Sequence, residues 1–424
     1  MKNVKYLIVG AGVSGLTAAN VLSGEDYLVL EKESVPGGYC RTIRRGEYVW
    51  DYGGHFFHFS HPELKARFEE TVASEEIVYR KKSTKIYYHG EYVDYPFQKN
   101  IHQLTKEEMI DCLYDLFEKP EKEQYDHFLD MLYGKFGKSI TEKFLRPYNE
   151  KLYACDLKEL DVDAMGRFFP YADVREIVRN MKAPEDSSYN QIFLYPKKGA
   201  AVFIGKLLEG IEKNRLHLNE TVRSIDIRNR RLETDRGTYN YDFLISSVPL
   251  NEFTDLTGTD LSEVKSELSY NQVLVLNLGF DRAPKDKNIH WIYIPDREIN
   301  FYRAGFYNNI IGTENLSMYI EIGYPMKASV SCQEIERQLA ATLENLKNMG
   351  ILDGHRLVDW QPVVMNPAYV HITEKGQQAV STLKERLVKR GVSLIGRYGS
   401  WRYCSIEDCM VEAMAAAGRI AERP

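Results

Sequence analysis

The chain has 424 residues, 44% hydrophobic and 27% charged, with a formal net charge of -6. That length exceeds one ordinary domain, and the apolar content supports sizeable cores and excludes wholesale disorder. The acidic balance excludes a broad nucleic-acid footprint, which needs a basic surface, but leaves room for a local basic pocket that holds a phosphorylated small molecule.

The N-terminal stretch "KYLIVGAGVSGLTAANVLSGEDYLVLEKE" carries the strongest pattern. Tyr6 to Val9 is a short apolar run, as expected of a strand buried on both faces. Gly10, Gly12 and Gly15 follow, then a helix-like "LTAANVL" and a second strand ending in Glu31. Gly10 suits a tight turn, Gly12 lets the backbone approach a pyrophosphate, and Gly15 lets helix and strand pack closely. The helix N-terminus then offers free N–H groups and a positive dipole end to phosphates. Glu31 is placed to hold ribose hydroxyls and would repel a phosphate there, which favours FAD or NAD over NADP. "GGYCRT" (Gly37 to Thr42) follows, with Gly38 and Arg41 suited to a second stretch of diphosphate or a flavin edge.

"DYGGHFFHFSHPEL" places His55, His58 and His61 three apart after Gly53 and Gly54. The spacing suits metal ligands on a helix, yet paired glycines are poor helix formers, and no cysteine or carboxylate cluster accompanies them. A loop whose backbone approaches a flat ring is the expectation, with no metal. Residues 62 to about 190 read as mainly helical. "LTKEEMIDCLYDLFEK" is amphipathic, and Thr105 with Glu108 forms a candidate capping box. "IYYHGEYV" reads as a small hairpin within this region. "TVRSIDIRNRRLETDRGTYNYDFLISSVPL" alternates as strands. "NQVLVLNLGF", "HWIYIP", "NFYRAGF" and "LSMYIEIGY" then suggest an antiparallel sheet, and the helix "CQEIERQLAATLENLKNMG" follows. The chain closes on a strand, a glycine turn and an Ala-rich helix, "SLIGRYGSWRYCSIEDCMVEAMAAAGRIAE".

Cysteines stand at 40, 112, 155, 332, 404 and 409 with no CxxC pair, which argues against a disulfide framework. No stretch approaches the ~20 apolar residues that span a bilayer, and the first apolar run is too short for a signal core. A soluble, reduced, cytoplasmic protein is the expectation, without nucleic-acid binding or membrane insertion.

The paired glycine motifs resemble the FAD family that includes amine oxidases, protoporphyrinogen oxidases and UDP-galactopyranose mutases. Further segments resemble the mutases in particular: "DYGGHFFHFSHPEL", "YPFQKNI", "FGKSITEKFLRPYNEKLYA", "YIPDREINFYRAGF" and "GRYGSWRY". The resemblance implies an α/β fold: a Rossmann-like FAD-binding domain with an inserted helical domain and an antiparallel β-sheet substrate domain. Residues 1–60, 195–250 and 390–424 would form the FAD domain, 61–194 a mainly helical nucleotide-binding domain, and 251–389 the sheet domain. It implies that Val222 contacts adenine, that Gly396, Arg397 and Glu407 lie at the flavin end, and that His55 lies on the flavin face. His58 and His61 receive no role.

The implied activity is a nucleotide-sugar mutase, an isomerase interconverting pyranose and furanose forms of UDP-galactose or a related sugar. Reduced flavin would attack the anomeric carbon through N5 as UDP leaves, and UDP would reattack after the ring recloses. Arg167 and Arg303 would hold the diphosphate, with Tyr293, Tyr369 and Tyr403 beside it, because arginine binds phosphate bidentately. Uridine would sit near Phe97, Gln98, Phe144, Leu145 and Asn149. An external reductant, NAD(P)H or a reductase, would keep the flavin reduced, and the oligomeric state is left open. Three departures from the mutase pattern leave sugar and nucleotide open: "RAGFYNNII", with Ile310 where the mutases carry tyrosine, "PAYVHIT", and "CSIEDC". The competing reading is an FAD-dependent oxidoreductase of the amine oxidase or protoporphyrinogen oxidase type.

Overall fold

In the computed structural model, residues 2–72, 76–119, 122–182 and 191–422 are described. A seven-stranded sheet is built from both ends and the middle of the chain. Its order is Val222–Asp226, Arg231–Thr234, Thr238–Ser246, Lys2–Val9, Tyr27–Leu30, Leu216–His217. Val392–Leu394 pairs in parallel with the far end of Thr238–Ser246. Lys2–Val9 runs parallel to both its neighbours, as a Rossmann-like unit requires. Helices Val13–Val21 and Ile406–Ala421 share one apolar core with this sheet, so the first and last helices lie side by side.

The second seven-stranded sheet is antiparallel except at one seam. Its longest strand, Asn271–Phe280, second from one edge, is buried at every position. Burying three amides within that strand is tolerable because each finds an acceptor. Asn271 donates to the Leu152 carbonyl, Gln272 to those of Met326 and Ala328, and Asn277 to that of Asp51 at 3.1 Å. The amides therefore tie the sheet to the helical region and to the glycine–histidine loop.

The hairpin Thr84–Tyr88 and Glu91–Asp94 turns at His89–Gly90 as its pattern suggests. It does not stay within the helical region: Thr84–Tyr88 pairs in parallel with Trp291–Tyr293 and extends the second sheet. Helix Lys106–Glu118 starts at Thr105, whose hydroxyl accepts from Glu108 N–H at 3.3 Å. Helix Glu374–Val388, expected within the sheet domain, packs Val380, Leu383 and Leu387 into the core under the Rossmann-like sheet. Its apolar face finds cover there, next to Leu7 and Leu244.

Lys151, within the "RPYNEK" segment, donates to four backbone carbonyls: Ile294 at 3.1 Å, Asp296 at 2.8 Å, Ile299 at 2.9 Å and Phe301 at 2.6 Å. It fastens the turn between strands Trp291–Tyr293 and Arg303–Phe306, and so sets the positions of Tyr293 and Arg303.

The close packing of the first helix is testable. A Cβ on Gly15 would stand 1.9 Å from the Gly10 carbonyl oxygen, which is backbone and cannot swing away. Gly15→Ala is expected to cost about 1–3 kcal/mol in urea unfolding, as overpacked sites do, and to weaken cofactor retention on gel filtration.

Candidate functional site

Two adjoining regions collect the predicted residues. The first is a cavity of about 630 Å³ lined by Gly10, Gly12, Gly38, Arg41, Val222, Gly396 and Arg397, together with Glu31. Its floor is the N-terminus of helix Val13–Val21, which starts at Gly12 with no side-chain cap and no acidic residue in its first turn. Those unpaired N–H groups face a site for a phosphate group. A Cβ on Gly12 would meet the Gly38 Cα at 3.9 Å, so the two glycine motifs meet backbone to backbone. Gly396 has φ +78°, and its Cβ would strike the Ser14 hydroxyl at 2.4 Å. Arg41 Nε and Arg397 Nε are buried without partners. Free helix N–H groups, orphaned guanidinium donors and glycine walls fit a dinucleotide diphosphate.

Glu31 is buried at the end of its strand. It accepts from the N–H of Ala11 at 2.7 Å and of Glu33 at 3.0 Å, so it braces the glycine loop while lining the cavity. Glu33, Glu220, Glu252 and Asp255 line the same cavity and make it unsuited to a further phosphate on the ribose. Glu407, expected at the flavin, is 2% exposed and turned elsewhere. It accepts from the N–H of Ser60 and of His61, both at 2.8 Å, and pairs with His61 Nδ1 at 3.1 Å. A buried carboxylate needs such donors, and the end of the histidine loop supplies them. His61 thus helps clamp this loop.

The second region centres on Arg303. Its strand neighbour directly opposite is Glu321, and the two form an ion pair with side chains 17% and 5% exposed. Tyr302 donates its hydroxyl to the other Glu321 oxygen at 2.7 Å. The Tyr319 ring lies 5.6 Å from the Arg303 guanidinium carbon. A Cβ on Gly53 would come within 3.2 Å of Glu321 Oε1, and one on Gly54 within 2.7 Å of the Tyr319 hydroxyl. The positive φ of Gly53, +95°, and the close approach at both glycines let the loop pack tightly against this ion pair and its aromatic flank.

His55 Nδ1 stands 3.1 Å from the Gly53 carbonyl, which fixes Nδ1 as the protonated nitrogen. Burial lowers the His55 pKa against the pull of Asp51, so the ring is neutral near pH 7. Asp51 itself is fully buried, and burial pushes its carboxyl up. It accepts from Thr42, Tyr195 and the Ala200 N–H, while Tyr307 OH bridges the Asp51 and Gly53 carbonyls at 3.2 Å each. This scaffold sets the loop that carries His55.

Half-buried tyrosines complete the second region. Tyr369 and Tyr403 stack at 5.8 Å, and the Arg397 guanidinium carbon lies 4.6 Å from the Tyr403 ring and 5.4 Å from the Tyr369 ring. Tyr293 packs against Tyr95 and Tyr148, each at 5.1 Å. Arg303 is charged and close enough to Tyr148, Tyr293, Tyr319 and Tyr369 to counter the upward push that burial gives their hydroxyls. Arg397 joins the two regions, since it also lines the cofactor cavity.

Other expected residues stand apart. Arg167 is bound to both oxygens of Asp408, at 2.8 and 2.9 Å, with its side chain 45% exposed. It sits outside the Arg303 cluster because the acidic first turn of helix Ile406–Ala421 offers it a counter-ion. Its neighbour Phe168 packs against Tyr403 at 5.1 Å, so Arg167 marks the rim. Phe97, Gln98, Phe144, Leu145 and Asn149 are buried in the helical core. Phe97 and Phe144 stack at 5.1 Å, and Tyr148 continues the stack to Tyr293. Two acceptors, Gln98 Oε1 and Asn149 Oδ1, are buried there without partners. His58 is packed near Phe193, its Nδ1 without a partner.

Glu321, Tyr302, Asp51 and Tyr307 escaped the sequence reading. A carboxylate inside the apolar run "SMYIEIGY" was the available signal for Glu321. Among the described residues, no group of His, Cys, Asp and Glu is arranged to hold a metal, and no helix is long and apolar enough to cross a membrane.

The model of the flavin containing amine oxidoreductases matches residues 13–421. The chain belongs to that family. It is a flavoenzyme of this group, and FAD is the cofactor the family implies. The structure is similar to reduced UDP-galactopyranose mutase, with a TM-score of 0.91 over 99% of this chain and 94% of that one at 22% identity. A candidate protoporphyrinogen oxidase from Exiguobacterium sp. 255-15 matches at 0.77 over 99% and 98% of the two chains, with 17% identity. These likenesses establish the fold alone. The inactive all-trans-retinol 13,14-reductase of Danio rerio is 38% identical over 56 residues, which is 13% of this chain and 9% of that relative.

Two outcomes are expected from the site. Glu321→Gln leaves the Arg303 guanidinium without its counter-ion and should lower urea stability by about 3–5 kcal/mol, as the loss of one member of a buried pair does. His58 is lowered by burial to about 4 from an ordinary 6.5. The unfolded chain binds a proton that the folded one refuses, so this stability is full above pH 6.5 and lost as pH falls toward 4. Thermal unfolding followed from pH 7 to 4 should decline across that window, and less steeply in His58→Asn.

Proposed function

We propose that the protein is a flavin-dependent nucleotide-sugar mutase acting on UDP-galactose or a related nucleotide-activated pyranose. The observation that carries this reading is the buried Arg303–Glu321 pair flanked by Tyr293, Tyr302, Tyr319 and Tyr369. An oxidase of apolar substrates has no use for a fixed guanidinium within a ring of tyrosine hydroxyls. A diphosphate leaving group does, because arginine stays charged and the hydroxyls donate. The mutase-like fold and the motif resemblance support the same reading.

The cavity residues Gly12, Gly38, Arg41 and Gly396 would hold the flavin, which in its reduced state would supply a nucleophile for the anomeric carbon. The chain's own residues do the rest. Arg303, held in place by Glu321 and Tyr302, neutralises the departing diphosphate, while Arg397 stays with the cofactor cavity and packs over Tyr369 and Tyr403 beside it. Gly53 and Gly54 let the loop backbone come close to the ring system, and the Gly53 carbonyl is steadied by Tyr307 and His55. The unpartnered Gln98 and Asn149 oxygens suit a base that carries an imide N–H, as uracil does. Arg167 would reach the diphosphate only by leaving Asp408, a rim exchange of one anion for another.

The family match favours a second reading, a flavin-dependent oxidoreductase. One assay separates them. The dithionite-reduced protein is incubated with UDP-galactose and a panel of nucleotide sugars, and products are resolved by chromatography. A furanose product is expected, with Arg303→Lys lowering kcat/KM by about 100-fold because the bidentate contact is lost. No furanose across the panel, together with oxygen consumption on an amine or polyene, would select the oxidoreductase.

A further inference from the structure

Cys404 and Cys409 bracket the start of the last helix. Their sulfurs lie 3.5 Å apart, and both thiols are free. A disulfide bond measures about 2.05 Å, so a closure of ~1.5 Å would join them. Ser405 is the helix N-cap. Cys404 and Cys409 therefore take the two positions of a hydrophobic staple, where any pair of apolar side chains would serve. Two features go beyond a staple. Cys409 lines the cofactor cavity with Gly12, Ser14 and Arg397, whereas Cys404 behind it is 6% exposed. The pair is also asymmetric. Cys409 is lowered, first by its hydrogen bond with Cys404 and further by Arg397, while the same contact raises Cys404. The sulfur at the cavity wall is thus the more acidic of the two, at a helix N-terminus beside a buried guanidinium.

We infer that Cys404 and Cys409 form a redox-active dithiol that passes two electrons to the bound flavin and closes to a disulfide. The S–S bond forms as the two thiols give up their protons. The electron pair passes to oxidised flavin, which takes one proton as it becomes the reduced anion, and the other proton goes to solvent. An external dithiol reopens the disulfide by exchange. The inference rests on the flavin cofactor and not on the mutase reading. It names the class of reductant, a dithiol, that would keep the flavin reduced.

The test uses purified holoprotein with oxidised flavin under anaerobic conditions. Dithiothreitol is added, the visible flavin band is followed, and samples are acid-quenched, alkylated and mapped by mass spectrometry. The expected result is bleaching at least 10-fold faster than in Cys404→Ser or Cys409→Ser. In wild-type protein under limiting dithiothreitol, the oxidised flavin should take the pair's two electrons, remove two alkylatable thiols from the six and yield a Cys404–Cys409 cross-linked peptide. Six alkylatable thiols at every stage, or equal bleaching rates in all three proteins, would overturn the inference and leave the pair a staple. The wild-type map stands even if a variant fails to fold. A preparation that cannot be loaded with flavin also overturns it, by removing the acceptor. That failure is told apart by the missing visible band and belongs to the cofactor assignment.

Discussion

The ion pair between Arg303 and Glu321 is the constraint on which the site depends. Both charges are removed from most of the solvent, a costly placement that needs close geometry and further hydrogen bonds. The antiparallel register sets them face to face, and Tyr302 satisfies the second carboxylate oxygen. The pair also dictates sequence at a distance. A Cβ on Gly53 would press within 3.2 Å of the Glu321 carboxylate, so the glycine loop and the second sheet fit closely against each other. Asn277, Tyr307 and Lys151 hold the three sides of that fit, through the Asp51 carbonyl, the loop backbone and the turn ahead of Arg303.

The Rossmann-like unit was legible in the sequence because its logic is local. Each glycine answers to a neighbour within a few residues or to a turn. Gly15 meets Gly10, and Gly12 starts a helix without a cap. The capping residues Thr105 and Glu108 were legible for the same reason. Glu321 was not, because alternation within "SMYIEIGY" does not say which strand lies opposite. The pairing of Arg167 with Asp408 was not legible either, because the two lie 241 residues apart. Glu407, which the resemblance put at the flavin end, is engaged by the loop amides of Ser60 and His61, a long-range contact that no local pattern encodes. The hairpin at Thr84–Tyr88 was recognised as a hairpin, but its attachment to Trp291–Tyr293 is a long-range pairing that no local pattern encodes.

The three regularly spaced histidines occupy three separate environments. His55 is a neutral ring holding the Gly53 carbonyl, His58 is a half-buried packing residue, and His61 joins the clamp on Glu407. Their regular spacing has no common purpose. The histidine loop is tied at one end by Asp51 and Tyr307 and at the other by Glu407, which leaves Gly53 to His55 as the stretch presented to the site.

The central claim is that the Arg303 cluster recognises a nucleoside diphosphate. Calorimetric titration of the reduced holoprotein with UDP tests it most directly, with Arg303→Ala measured alongside. The account predicts saturable binding to wild-type protein and at least a 10-fold weaker affinity in the variant. Absence of binding by UDP and every other nucleoside diphosphate, or an affinity unchanged by Arg303→Ala, would contradict it.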